Sequence, residues 1–175
     1  MNVDQKIAND IAKRYFDTDK TLIRLGWGIS GFVYLSPDTR TAVKVHRHAE
    51  SFERELYVYR KLARLKINRL HGLTIPKLRD NRADVKLLNM DFVCSPYLLD
   101  FAGVGLSPPD FTDDAMAQWM AGIDEMFGPN ASIPHMVYHS LMQHSLYYMD
   151  FRPSNLKLDG LPGLEPWDQS VEGDF

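Results

Sequence analysis

Three groups of residues have the types and spacing to do chemistry. The run Tyr148-Met149-Asp150-Phe151-Arg152-Pro153-Ser154-Asn155 sets an acid, a base and an amide around a proline in one short loop. Such a loop can aim Asp150 at a hydroxyl proton, Arg152 at an oxygen of a phosphoryl group in transfer, and Asn155 at a metal ion. The same residues also suit a plain turn closed by an Asx motif. In Thr41-Ala42-Val43-Lys44-Val45 a single lysine interrupts an apolar run. Lysine is seldom buried without a partner, so Lys44 either lies on the solvent face of an edge strand or points inward to neutralise phosphate charge. In the second case a carboxylate on the next helix must hold it: Glu55 is the best placed and Glu53 competes. The third group, Gly26-Trp27-Gly28-Ile29-Ser30-Gly31-Phe32-Val33, has glycines that let backbone approach phosphates closely, or that simply turn a hairpin. A dinucleotide-binding loop runs from strand into helix, whereas this one runs on into Phe32-Val33-Tyr34-Leu35, which has the composition of a strand.

The elements that must position these groups follow from periodicity. Residues 3–16 carry Val3, Ile7, Ile11, Ala12 and Tyr15 at helical spacing. Apolar runs at 21–25, 32–35 and 41–45, punctuated by Gly26 to Gly31 and Ser36-Pro37-Asp38, predict three antiparallel strands. Phe52, Leu56, Tyr59, Leu62 and Leu65 mark a helix over 52–65, and strands are expected near 77–78 and 85–93. The Gly- and Pro-rich segment 103–109 reads as a connection. Helices are predicted over 112–127, opened by the capping residues Thr112-Asp113-Asp114, and over 132–145. The expected class is α+β: a small antiparallel sheet with one main helix over residues 1–95, then a reduced helical part with the Asp150 loop over 96–175. A cleft between two such lobes is a usual place for a ligand.

With these motifs in this order, the chain resembles the eukaryotic-type protein-kinase superfamily over most of its length. Gly26, Gly28, Gly31 and Val33 look like the glycine-rich loop, Ala42 and Lys44 like the strand-three lysine motif, and Glu55 like its helix partner. The stretch Leu88 to Val93 is similar to the fifth strand and hinge. The resemblance implies that Met90 is the gatekeeper, that backbone groups of Asp91 and Val93 read the adenine edge, that Asp150 is the base and that Asn155 binds metal. It also implies a second metal-binding acid thirteen residues after the asparagine, which is Asp168. Gln169-Ser170 stand where the family has Phe-Gly, and Met149 replaces the arginine that reads activation-loop phosphorylation. With seven residues after Asp168, a minimal kinase core without activation segment is expected. The implied activity is transfer of the γ-phosphate of Mg-ATP to a hydroxyl acceptor, with ATP and Mg²⁺ as cofactors and protein Ser/Thr favoured as acceptor. The alternatives are an inactive pseudokinase that binds nucleotide or acts as a scaffold, and a small-molecule kinase.

Composition narrows the partners. With 20 basic and 23 acidic side chains, net charge −3 and 45% hydrophobic residues in 175, the chain can bury a core. It lacks the basic excess that counterion release at nucleic acid requires, so no nucleic-acid partner is expected. The N-terminus has no signal-peptide pattern and no run approaches the ~18 apolar residues of a membrane span. A soluble intracellular protein is expected, with no membrane insertion and with export by a signal-less route left open. The single cysteine, Cys94, is read as buried and inert. His46 and His48 flank Arg47 in what reads as a solvated turn, and His135 and His139 have metal-ligand spacing without a further ligand. Phe101, Leu106 and Phe111 read either as packing or as an exposed patch.

Overall fold

The computed structural model describes residues 3–166. Two compact units are distinguished: the chain up to Asn68 with Pro76–Cys94 and Asp100–Gly103, and Arg69–Ile75 with Ser95–Leu99 and the chain from Val104 on. The chain therefore crosses from one unit to the other five times, where the sequence suggests one boundary near residue 95.

The first unit is built on a five-stranded antiparallel sheet in the order β1-β2-β3-β7-β6, from β1 (Arg24–Trp27), β2 (Gly31–Leu35), β3 (Thr41–His46), β7 (Leu87–Asp91) and β6 (Leu78–Arg82). Because side chains alternate along a strand, Val43 and Val45 of β3 point to one face while Ala42, Lys44 and His46 point to the other. Helix α1 (Gln5–Tyr15) covers the first face. Its N-terminus is capped by Asp4, whose carboxylate accepts the Ile7 N–H at 2.9 Å. Its Ala8 and Ala12 enter a core with Phe32, Tyr34, Val43, Val45 and Leu87. Helix α2 (Ala49–Arg64) packs on β3, β6 and β7 and brings Phe52, Glu55, Leu56, Tyr59 and Leu62 inside. The Phe101 ring meets Tyr59 edge-on, with centroids 5.3 Å apart.

In the second unit α3 (Asp113–Phe127) starts at Thr112, whose hydroxyl accepts the Ala115 N–H at 3.2 Å, and stops at Gly128, whose φ of 51° favours glycine. Helix α4 (Ser132–Met142) follows. Both helices agree with the periodicity; the sheet beside them was not foreseen. It is four-stranded, in the order β4-β5-β8-β9, from β4 (Arg69–Leu70), β5 (Leu73–Thr74), β8 (Tyr97–Leu98) and β9 (Leu156–Lys157). Strands of two residues leave no alternation to detect in a sequence.

The α+β class is as expected, with local corrections. His46 is not in a solvated turn: it is the last residue of β3 and wholly buried. Cys94 is exposed, since the strand before it ends at Asp91. Phe101 is buried, while Leu106 and Phe111 are exposed. Strand β1 begins at Arg24 rather than Thr21. Among the described residues no helix is long and apolar enough to cross a membrane.

Candidate functional site

Lys44 stands in the middle of β3, opposite Val33 on one side and Leu88 on the other. This central position removes the solvent-facing alternative, and the residue is 5% exposed. Its ammonium lies 2.7 Å from Glu55 Oε2 and 2.7 Å from Asp100 Oδ1. The competing Glu53 is exposed on the other side of α2, while Glu55 is 1% exposed. Asp100 was not foreseen. It is separated from Lys44 by 56 positions, and it sits just before the Gly- and Pro-rich segment 103–109, which reads only as a connection. Its backbone has φ of 55° and its carboxylate also accepts the Ala102 N–H, at 3.3 Å. These features were not separable from ordinary turn chemistry in the sequence.

Burial works against the Lys44 charge, but the two carboxylates outweigh it and hold the ammonium above its ordinary pKa. Burial likewise opposes the Asp100 carboxylate, and the charge and hydrogen bond of Lys44 overcome it, so its pKa lies below the usual carboxylate range. For Glu55 burial prevails over Lys44, and the carboxyl is pushed up. His46 Nε2 lies 3.2 Å from the same Glu55 oxygen. Neither atom has a directed hydrogen bond among the described residues, although Lys44 stands at ion-pair distance from that oxygen. Burial first, then the Lys44 charge, lowers the His46 pKa to about 3 and keeps the ring neutral.

The glycine loop closes the β1–β2 hairpin, with the Gly28 N–H donating to Gly31 C=O at 2.9 Å. Arg47 backs it: its Nε donates to Gly28 C=O at 3.2 Å and its N–H to Ser30 C=O at 3.0 Å. Ile29 at the tip is 92% exposed. Val33 faces Lys44 across the ladder, and Ala42 faces Met90. Met90 is buried, its sulfur accepting the Tyr59 hydroxyl at 3.5 Å. The Asp91 N–H is committed to Lys77 C=O and its carboxylate to Arg79, whereas Val93 makes no backbone hydrogen bond among the described residues. Gly26, Gly28, Gly31, Val33, Ala42, Lys44, Glu55, Met90, Asp91 and Val93 thus all fall in the first unit.

Asp150, Arg152 and Asn155 are assembled in the second unit. Tyr148 and Phe151 are buried with ring centroids 4.9 Å apart, Trp119 donates to Met149 C=O at 3.1 Å, and the Tyr148 hydroxyl donates to Leu99 C=O at 2.7 Å. These anchors fix the loop and leave Asp150 partly exposed beside the buried Phe151. Asn155 Nδ2 donates to Asp150 Oδ2 at 2.9 Å, and Arg152 Nε to Asp150 Oδ1 at 2.7 Å. Arg152 is therefore turned onto Asp150, and its side chain is mostly in solvent, where such a pair is worth little. The amide oxygen of Asn155 makes no hydrogen bond among the described residues and has the hard-donor chemistry that suits Mg²⁺. Asp168 lies outside the described residues. No cluster of three or more His, Cys, Asp or Glu occurs among them.

Among the described residues the histidine pair on α4 does not join a cluster of three or more His, Cys, Asp or Glu. His135 instead contacts Asp124 of α3 at 2.7 Å, a carboxylate the sequence reading did not place near it.

No protein-family model and no curated protein matches the chain. Among solved structures it is similar to the streptomycin-ATP-APH(2")-IIa ternary complex, at 22% identity and TM-score 0.36 over 54% of this chain and 30% of the other. It is also similar to the gentamicin-APH(2")-IIa complex, at 14% identity and TM-score 0.39 over 83% and 56%. The chain thus spans less than two thirds of either structure, and its functional reading rests on its own residues.

Proposed function

We propose that the chain is an ATP-dependent phosphotransferase of reduced protein-kinase-like architecture, acting on a hydroxyl acceptor. The observation that carries the reading is the buried Lys44, held by Glu55 at 2.7 Å on a sheet whose first hairpin is the glycine loop. A lysine fixed by carboxylates at the centre of a strand, next to a loop that lets backbone approach phosphates, is placed to serve as a counter-charge for a nucleotide.

In this reading Gly26, Gly28 and Gly31 let backbone approach the phosphates, Lys44 neutralises their charge, and Val33, Ala42 and Met90 line the base, whose edge meets the backbone of Asp91 and Val93. Asp150 takes the proton of the acceptor hydroxyl as its oxygen bonds to the γ-phosphorus and the bond from that phosphorus to the β-bridging oxygen breaks, releasing ADP. Arg152 steadies the Asp150 carboxylate and stands ready to turn toward developing negative charge. Asn155 is the residue suited to Mg²⁺, with Asp168 as the acid the family resemblance adds. When bound, Mg²⁺ supplies charge neutralisation at the transferring phosphate.

The test is transfer of label from γ-labelled ATP with Mg²⁺, by wild type and Asp150→Ala, to the protein itself, a lysate and a panel of small hydroxyl compounds. Labelling that drops by roughly 10²–10⁴ in the variant supports the reading, and the labelled species identifies a protein or small-molecule acceptor. Nucleotide binding without labelling above the variant would make the chain a pseudokinase.

A further inference from the structure

Lys44 already has what a buried ammonium needs. Its charge is met by Glu55 at 2.7 Å, and a second carboxylate, Asp100, stands at the same distance. His46, the other titratable group in contact with this cluster among the described residues, is neutral and adds no positive charge. With both carboxylates ionised, the buried group carries one negative charge more than positive. An incoming polyphosphate would meet net repulsion at the residue meant to receive it, in surroundings where charges are weakly screened. The two carboxylates are not equivalent. Glu55 is on α2, wholly enclosed and surrounded by buried neighbours. Asp100 has a side chain 34% exposed, and its Oδ2 makes no hydrogen bond among the described residues. Of the pair, Asp100 is the one that can let go of Lys44, and its free oxygen has the hard-donor chemistry of a Mg²⁺ ligand.

We infer that Asp100 is a resident counter-ion of Lys44 that occupies the place of a phosphate, so that nucleotide gains Lys44 only in the company of a divalent cation that relieves the extra negative charge. The inference rests on the nucleotide-binding reading above, and it gives a role in the first unit to an acid that no motif had singled out.

The experiment is equilibrium binding of ATP to the full chain, by calorimetry in mildly alkaline buffer, with Mg²⁺ and with chelator. It uses wild type, Asp100→Asn, and Asp84→Asn, which removes an exposed carboxylate of the same unit. Melting without ligand establishes that each variant is folded; Asp100→Asn leaves the Lys44–Glu55 pair intact. Wild type should bind with Mg²⁺ and at least about tenfold more weakly in chelator. Asp100→Asn should gain about tenfold or more in chelator and lose most of the Mg²⁺ enhancement, the scale expected when a facing charge is removed from a buried site; Asp84→Asn should behave as wild type. An unchanged Mg²⁺ dependence in Asp100→Asn, or an equal gain in both variants, would overturn the inference while leaving nucleotide binding standing. Failure of wild type to bind ATP at all would instead overturn the reading on which it rests.

Discussion

Burial and the neighbouring Lys44 ammonium keep the His46 ring neutral, with its pKa lowered from 6.5 to about 3. In the unfolded chain the ring takes up a proton below the ordinary value while the folded ring does not, so stability falls as pH drops from 6.5 toward 3. At full extent the difference amounts to about 4–5 kcal/mol. Glu55, whose carboxyl is pushed up, contributes with the opposite sign over its own range. His46→Gln, which keeps a polar side chain but cannot titrate, isolates the ring: the wild-type loss of urea stability between neutral and acid pH should shrink in the variant. An identical slope in both proteins would mean that the ring titrates normally. At this scale the Lys44–Glu55 partnership was legible because a lysine in an apolar strand has few places to go. Asp100 was not, since no spacing rule connects residues that meet only through the fold. His46 and Cys94 were misjudged for a related reason: each lies at the end of an apolar run, where one residue more or less of strand decides burial.

Gly31 of the hairpin faces surroundings different from those of Gly26 and Gly28, although in the sequence the three read alike. A Cβ at Gly31 would be driven into the carbonyl oxygen of Val45 across the β2–β3 ladder, whereas none of the surrounding atoms comes within 4 Å of a Cβ at Gly26 or Gly28. Gly31→Ala should therefore cost about 1–3 kcal/mol, in line with overpacking against a backbone that cannot yield, and should be seen as a lower urea midpoint. Gly26→Ala and Gly28→Ala should melt close to wild type yet, on the proposed function, weaken ATP binding, because in that reading their space admits phosphates. Equal destabilisation by all three would remove the distinction. Periodicity sufficed for helices α1 to α4, whose apolar stripes persist over several turns. It could not show β4, β5, β8 and β9, which are set by their neighbours rather than by their own residues.

For the chain as a whole, the interleaving of the two units has a measurable effect. Residues 100–103 belong to the first unit, where Phe101 is fully buried against Tyr59. Loss of a buried phenylalanine costs about 3–5 kcal/mol, a large part of the 5–15 kcal/mol by which a domain is typically stable. A fragment of residues 1–94 should accordingly be less stable than one of residues 1–103 by several kcal/mol in urea melts; coincident melts would show that 100–103 add nothing to the unit. The sequence suggested one boundary because composition changes once, near the Gly- and Pro-rich connection, whereas membership of a unit is decided by contacts that composition does not record. The five crossings also bear on descent. A recombination event with a single breakpoint would leave at least one unit with segments from two parents, so neither unit could be exchanged with the other left untouched. An exchange of one unit alone would take all five breakpoints at once, where a chain with one boundary would need a single one.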